Sequence, residues 1–113
     1  MRLENQVCSL ELSKKLKELG VKQESEFWWC EHQDTFYIEH KSKHCNQSIG
    51  GISAFTVAEL GEMLPRDYGS WKRNEWRCAN MLDFTEDKLA ETIWDDTEAN
   101  ARAKMVIYLK ESW

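Results

Sequence analysis

All three histidines and two of the four cysteines fall within sixteen residues: Cys30, His32, His40, His44 and Cys45. Thiolates and imidazoles are the ligands zinc prefers. Cys30 and His32, two apart on a strand, share a face to which a neighbouring strand can bring His40. Cys30, His32, His40 and Cys45 are therefore the candidate metal ligands. Their spacing matches no paired C-x-x-C pattern, and the adjacent His44 and Cys45 are poorly placed to chelate together. The reading taken is that no metal is bound, with a zinc-containing structural domain as an alternative.

The same cluster and Cys78 offer a cysteine nucleophile with a histidine base. Such a pair needs an electropositive niche and a third, orienting group, and a soluble chain of this composition provides Cys and His pairs by chance. The neighbouring Asp95 and Asp96 could take a divalent ion or move a proton, but no further acids stand at a spacing that completes either site. Ile49-Gly50-Gly51-Ile52 is too short for a phosphate-binding loop. The expectation is a protein that is not an enzyme and has no cofactor.

Charge and aromatic residues point instead to binding. The net charge is −5. Between Asp83 and Glu98 stand Asp83, Glu86, Asp87, Glu91, Asp95, Asp96 and Glu98 against Lys88 alone, a local −6 that leaves the rest of the chain at +1. A block of this kind is a solvated face, or a surface that meets a basic partner such as one built to hold nucleic acid. Asp83, Glu86, Asp87, Glu91, Asp95 and Asp96 are the partner-binding candidates. Six tryptophans are present. Trp71 and Trp76 interleave with Lys72, Arg73 and Arg77, a combination of stacking surface and phosphate-binding charge used on single-stranded nucleic acid, although the acidic balance of the chain opposes non-specific backbone binding. Trp28 and Trp29 are consecutive, so on a strand they point to opposite faces.

These residues need elements to hold them. Ser9 caps a helix from about Leu10 to Leu19, with Leu12, Leu16 and Leu19 on one stripe and Gly20 supplying the positive φ of its C-terminal turn. Phe27 to Cys30 and Thr35 to Glu39 read as a β-hairpin, with Phe36, Ile38 and His40 on one face and Tyr37 and Glu39 on the other. Lys41 to Gly51 is polar and reads as a loop. Thr56 and Glu59 have capping-box spacing for a short helix through Val57, Leu60 and Leu64, which Pro65 ends. Trp71 to Ala79 and Leu82 to Phe84 read as further strand. Thr85 to Trp94 fits either a short helix or a loop. Asp96 or Thr97 then caps a helix with Ala99, Ala103, Val106 and Ile107 on one stripe, its alanines suited to close packing.

The order α-β-β-α-β-β-α predicts an α+β fold: an antiparallel sheet of about four strands covered by two to three helices. At 113 residues, with 42% hydrophobic and 12% aromatic, residues 1–113 make one domain with one core. No apolar run approaches the ~20 residues of a membrane span, and no signal peptide is evident. A cytoplasmic protein follows, and with it four reduced thiols rather than one of the three possible disulfide pairings. The oligomeric state is left open.

Three segments, Asn5 to Gln23, Ile52 to Pro65 and Thr97 to Leu109, resemble those of a family of small proteins, without an assigned activity, encoded by bacteriophages and prophages. The resemblance covers under half the chain and brings no functional residues with it. It implies a phage-derived protein acting in the cytoplasm of a bacterial host cell. Small accessory proteins of this origin commonly bind and disable a host system. The expectation is therefore a non-enzymatic protein that binds a host protein, plausible targets being nucleic-acid-handling nucleases of host defence, in the manner of an anti-CRISPR. A small single-stranded nucleic-acid-binding module is the alternative from another class.

Overall fold

The computed structural model describes residues 3–40, 51–66, 68–72, 74–80 and 92–111, the side chains of 32 and 80 excepted. Within these the chain runs α1 (Leu3–Gln6), α2 (Leu10–Glu18), β1 (Phe27–His32), β2 (Thr35–His40), β3 (Ile52–Ser53), α3 (Val57–Met63), β4 (Tyr68–Lys72), β5 (Trp76–Asn80), β6 (Ile93–Asp95) and α4 (Glu98–Glu111). It is an α+β fold with antiparallel pairing throughout. The strands form two three-stranded sheets, ordered β2-β1-β3 and β4-β5-β6, where the sequence pattern led us to expect one sheet of about four. The difference lies in β3 and β6. Strands of two and three residues are too short to show a period of their own and exist only because β1 and β5 pair with them. The loop read over Lys41 to Gly51 lies outside the described residues up to 50, as do the strand over Leu82 to Phe84 and the helix-or-loop segment from Thr85 up to 91.

The helix ends are set by local chemistry. The Leu12 N–H donates to Ser9 Oγ at 3.4 Å. At the other end of α2, Gly20 adopts φ 87°, its N–H donates to the Lys17 carbonyl, and the Val21 N–H reaches back to the Leu16 carbonyl. This pair of bonds is the Schellman arrangement, which requires a left-handed residue at the position of Gly20. At α3, Thr56 Oγ1 accepts from the Glu59 N–H at 3.2 Å while Glu59 Oε1 accepts from the Thr56 N–H at 2.9 Å, a complete capping box. Thr97 Oγ1 accepts from the Asn100 N–H at 3.2 Å and starts α4.

The core lies around α4. Ala99, Ala101, Ala103, Met105 and Val106 are buried on more than one side of this helix, because α1, α2, α3 and all three strands of the second sheet pack against it. Small side chains let so many neighbours approach one helix. Cys8, Leu16 from α2 and Val21 just after it, Phe55, Leu60 and Leu64 around α3, and Cys78 from β5 complete the cluster. Two polar links tie the layers: the Ser9 N–H donates to Asn100 Oδ1 at 2.7 Å, and Arg102 Nη1 donates to the Val57 carbonyl at 2.9 Å. The first sheet joins this body through β3, which packs on α2, and through the Trp29 indole, whose Nε1–H donates to the Cys8 carbonyl at 3.2 Å. Trp28, on the opposite face of β1, is also buried. No described helix is long and apolar enough to cross a membrane.

Candidate functional site

Strand alternation and register sort the predicted nucleic-acid residues. Ser70, Cys78 and Ile93 lie across from one another on the face of the second sheet that meets α4, and Lys72, Trp76 and Asp95 extend that face. Trp71, Arg77 and Trp94 form the next cross-strand row, which points to the opposite face. The five residues that looked like one basic and aromatic stretch are thus divided, with Lys72 and Trp76 on one side and Trp71 and Arg77 on the other. Arg73 lies outside the described residues.

Arg77 is already paired. Its Nε and Nη2 both donate to Glu75 Oε1, at 3.0 and 2.8 Å, and both side chains are partly buried. The pairing takes two of the five guanidinium donors and offsets the charge that would draw a phosphate. Lys72 and Trp76 line a cleft of about 330 Å³ together with Asp96 and Glu98. Residues assigned to two different surfaces therefore meet in one place, where the carboxylates offset the lysine.

Of the six acidic candidates, Asp83, Glu86, Asp87 and Glu91 lie outside the described residues. Asp95 is a structural anchor. Its Oδ2 stands 2.7 Å from Lys104 Nζ, its Oδ1 accepts from the Asp96 N–H at 2.6 Å, and the Asn100 side chain also bonds it. Burial pushes this carboxyl upward, but Lys104 and the other donors outweigh it and hold the group below the ordinary carboxylate range. Of the two that are described, Asp96 is the exposed one.

The cysteine and histidine cluster is arranged differently from the expectation. Cys30 is disulfide-bonded and buried, so its sulfur is not a thiolate ligand, and the expected state of four reduced thiols does not hold. Residue spacing carries no information on whether two sulfurs approach within bonding distance, because that distance is set by the fold. Cys8 and Cys78 keep free, buried thiols, and burial pushes the Cys78 thiol up to about 11. His40 Nε2 pairs with Glu26 Oε2 at 3.1 Å, and its ring meets Phe27 edge-on at 5.3 Å. His44, Cys45 and the His32 side chain lie outside the description. Among the described residues no group of three or more His, Cys, Asp or Glu side chains is placed to hold a metal.

A larger cleft of about 470 Å³ lies between Val21, Phe55 and Met63, with Glu24, Glu59, Glu62, Lys22 and Lys110 around it. Glu59 is committed there. Besides closing the capping box, its Oε2 accepts from the Glu26 N–H at 3.0 Å.

The residue missed by the sequence reading is Trp94. It is 60% exposed, the most open of the large hydrophobic side chains described, and stands at the centre of β6, where it pairs with Arg77 of β5. Lys104 Nζ lies 5.9 Å from its ring centroid, within cation–π range. The available signal was the apolar pair Ile93-Trp94 inside an acidic run, which the surrounding charge concealed. Comparison with protein-family models, with curated proteins and with solved structures finds no match to this chain.

Proposed function

We propose that this chain is a non-enzymatic accessory protein of phage or prophage type that acts in the host cytoplasm by binding a host protein through a surface anchored on Trp94. The observation that carries this reading is the exposed indole itself. A tryptophan 60% open to water, fixed by a lysine on one side and lying in a row with Arg77 and Trp71, has the composition of an interface anchor: tryptophan, tyrosine and arginine provide most of the energy where protein surfaces meet. The acidic residues beside it, with Asp96 exposed, suit a partner with a basic rim. A nuclease of host defence, whose nucleic-acid channel is basic, is the class we put forward.

A second reading, single-stranded nucleic acid, is favoured by the same Trp71, Arg77 and Trp94 row, on which bases could stack. The Glu75 pairing of Arg77 and the net charge weigh against it.

One experiment separates them. Tagged protein is used to capture partners from a bacterial host carrying intact defence systems, with bound protein and bound RNA identified separately. Trp94→Ala should weaken a specific protein complex by about 2 kcal/mol or more, while Tyr108→Ala, an exposed aromatic elsewhere, should leave it intact. A complex equally tolerant of both variants removes Trp94 as the anchor. RNA recovered without protein, and lost on Arg77→Glu, transfers the assignment to the second reading.

A further inference from the structure

The cleft of about 470 Å³ bounded by Val21, Phe55 and Met63 combines an apolar floor with a negative mouth. Val21 and Phe55 are almost wholly buried and Met63 is half-buried, so what they present to the cleft is hydrophobic surface. Three carboxylates, those of Glu24, Glu59 and Glu62, stand around it against the ammonium groups of Lys22 and Lys110, which leaves one negative charge in excess. The backbone adds to this excess. Gly20 and Val21 directly follow α2, and Lys110 is next to the last residue of α4. Two helices therefore bring their C-terminal ends to the cleft, and each such end carries roughly half a negative charge.

The carboxylates differ in what they can still accept. Both Glu59 oxygens already take backbone N–H groups, those of Thr56 and Glu26. Neither the Glu24 nor the Glu62 side chain has a hydrogen bond or ion pair among the described residues, and both are exposed. Open carboxylates at the rim of an apolar floor complement a group with a long aliphatic stem and a cationic tip, which is the form of lysine and arginine side chains. We propose that this cleft is a socket for a basic side chain of a partner protein, its stem lying on Val21, Phe55 and Met63 and its charge held between Glu24 and Glu62. The inference does not rest on the Trp94 surface, since none of the residues of that surface lines this cleft.

The test is a titration of the isotope-labelled full chain, followed by nuclear magnetic resonance, with Nα-acetyl-lysine N-methylamide and with its arginine and norleucine counterparts. The lysine and arginine probes should bind weakly but saturably and move the amide signals of Gly20, Val21, Glu62 and Met63. The norleucine probe, which keeps the stem and lacks the charge, should bind at least about fivefold more weakly. The double variant Glu24→Gln with Glu62→Gln should weaken the lysine probe by about the same factor. Lys22→Gln, which removes a competing cation, should strengthen it, and decides the matter if the double variant loses its folded spectrum. The proposal is overturned if norleucine binds as well as lysine, if neither set of substitutions changes the affinity, or if the shifted signals lie away from the cleft. It is also overturned if n-butylammonium binds and the blocked lysine does not, because the cleft would then admit only a free amine.

Discussion

The guanidinium of Arg102 fills the space that a side chain on Gly61 would take. A Cβ built at Gly61 would collide with Arg102 Nη1, the atom that donates to the Val57 carbonyl at 2.9 Å. The same guanidinium donates through Nε to Ser70 Oγ at 2.9 Å, Ser70 in turn donates to Glu98 Oε2 at 2.5 Å, and Arg102 pairs with that carboxylate at 3.4 Å. A helix-interior glycine is thus exchanged for a polar link between α3, β4 and α4.

Gly61→Ala should therefore destabilise the protein by about 1 kcal/mol, because the loss of a charged hydrogen bond outweighs the helix propensity that alanine brings. In an Arg102→Met background the same change should become neutral or stabilising. Urea denaturation of the four proteins in this cycle checks it, and equal effects of G61A in both backgrounds would show that the two residues are not coupled.

Two fully buried serines should respond to alanine with opposite signs. Ser13 Oγ donates to the Ser9 carbonyl at 2.8 Å and touches Cys8 Sγ at 3.0 Å. Ser53 Oγ has no hydrogen-bond partner among the described residues. Ser13→Ala should cost about 1 kcal/mol and Ser53→Ala should gain about the same, since an unsatisfied buried hydroxyl carries a desolvation cost that alanine removes. Urea midpoints moving in the same direction would refute this contrast.

The pH dependence follows from two groups. The folded state holds the Asp95 carboxyl below its ordinary value. Its contribution is therefore present above about pH 4 and is lost as pH falls through the lowered folded value. The stability gap between wild type and Asp95→Asn should be widest near neutrality and close in acid. Cys78 behaves in the opposite sense: its thiol is raised from 9.0 to about 11, mainly by burial. That contribution is complete below pH 9 and disappears as pH rises toward 11. Cys78→Ala should accordingly show a shallower alkaline loss than wild type when both are titrated by circular dichroism.

How much of this was legible in the sequence depended on range. Ser9, Gly20 and the Thr56 with Glu59 pair announced their helix ends because a cap is made by residues three or four positions apart. The sequence pattern shows the hairpin but not the tightness of its turn. Strand pairing continues to His32 and Thr35, and the turn is Gln33-Asp34, both at positive φ, 49° and 64°. A two-residue turn of this kind usually announces itself with Asn-Gly or Asp-Gly, and neither is present. The candidate site was less legible. That Trp71 and Arg77 share a face, and that Lys72 and Trp76 share the other, depends on where the chain turns between β4 and β5. Trp94 joins the candidate site only because β6 pairs with β5, a contact between positions 93–95 and 76–78 that local pattern does not encode.

The central place of α4 has a consequence for synthesis. It follows every other described element in the chain, yet α1, α2, α3 and the second sheet all pack on it. As the polypeptide leaves the ribosome, Leu16, Leu60 and Cys78 emerge with the surface meant to bury them still untranslated. Their core can close only after the last helix is released, and the sequence distance between α2 and α4 makes that closure a slow, long-range step. Until then the nascent chain displays the apolar face that α4 will cover.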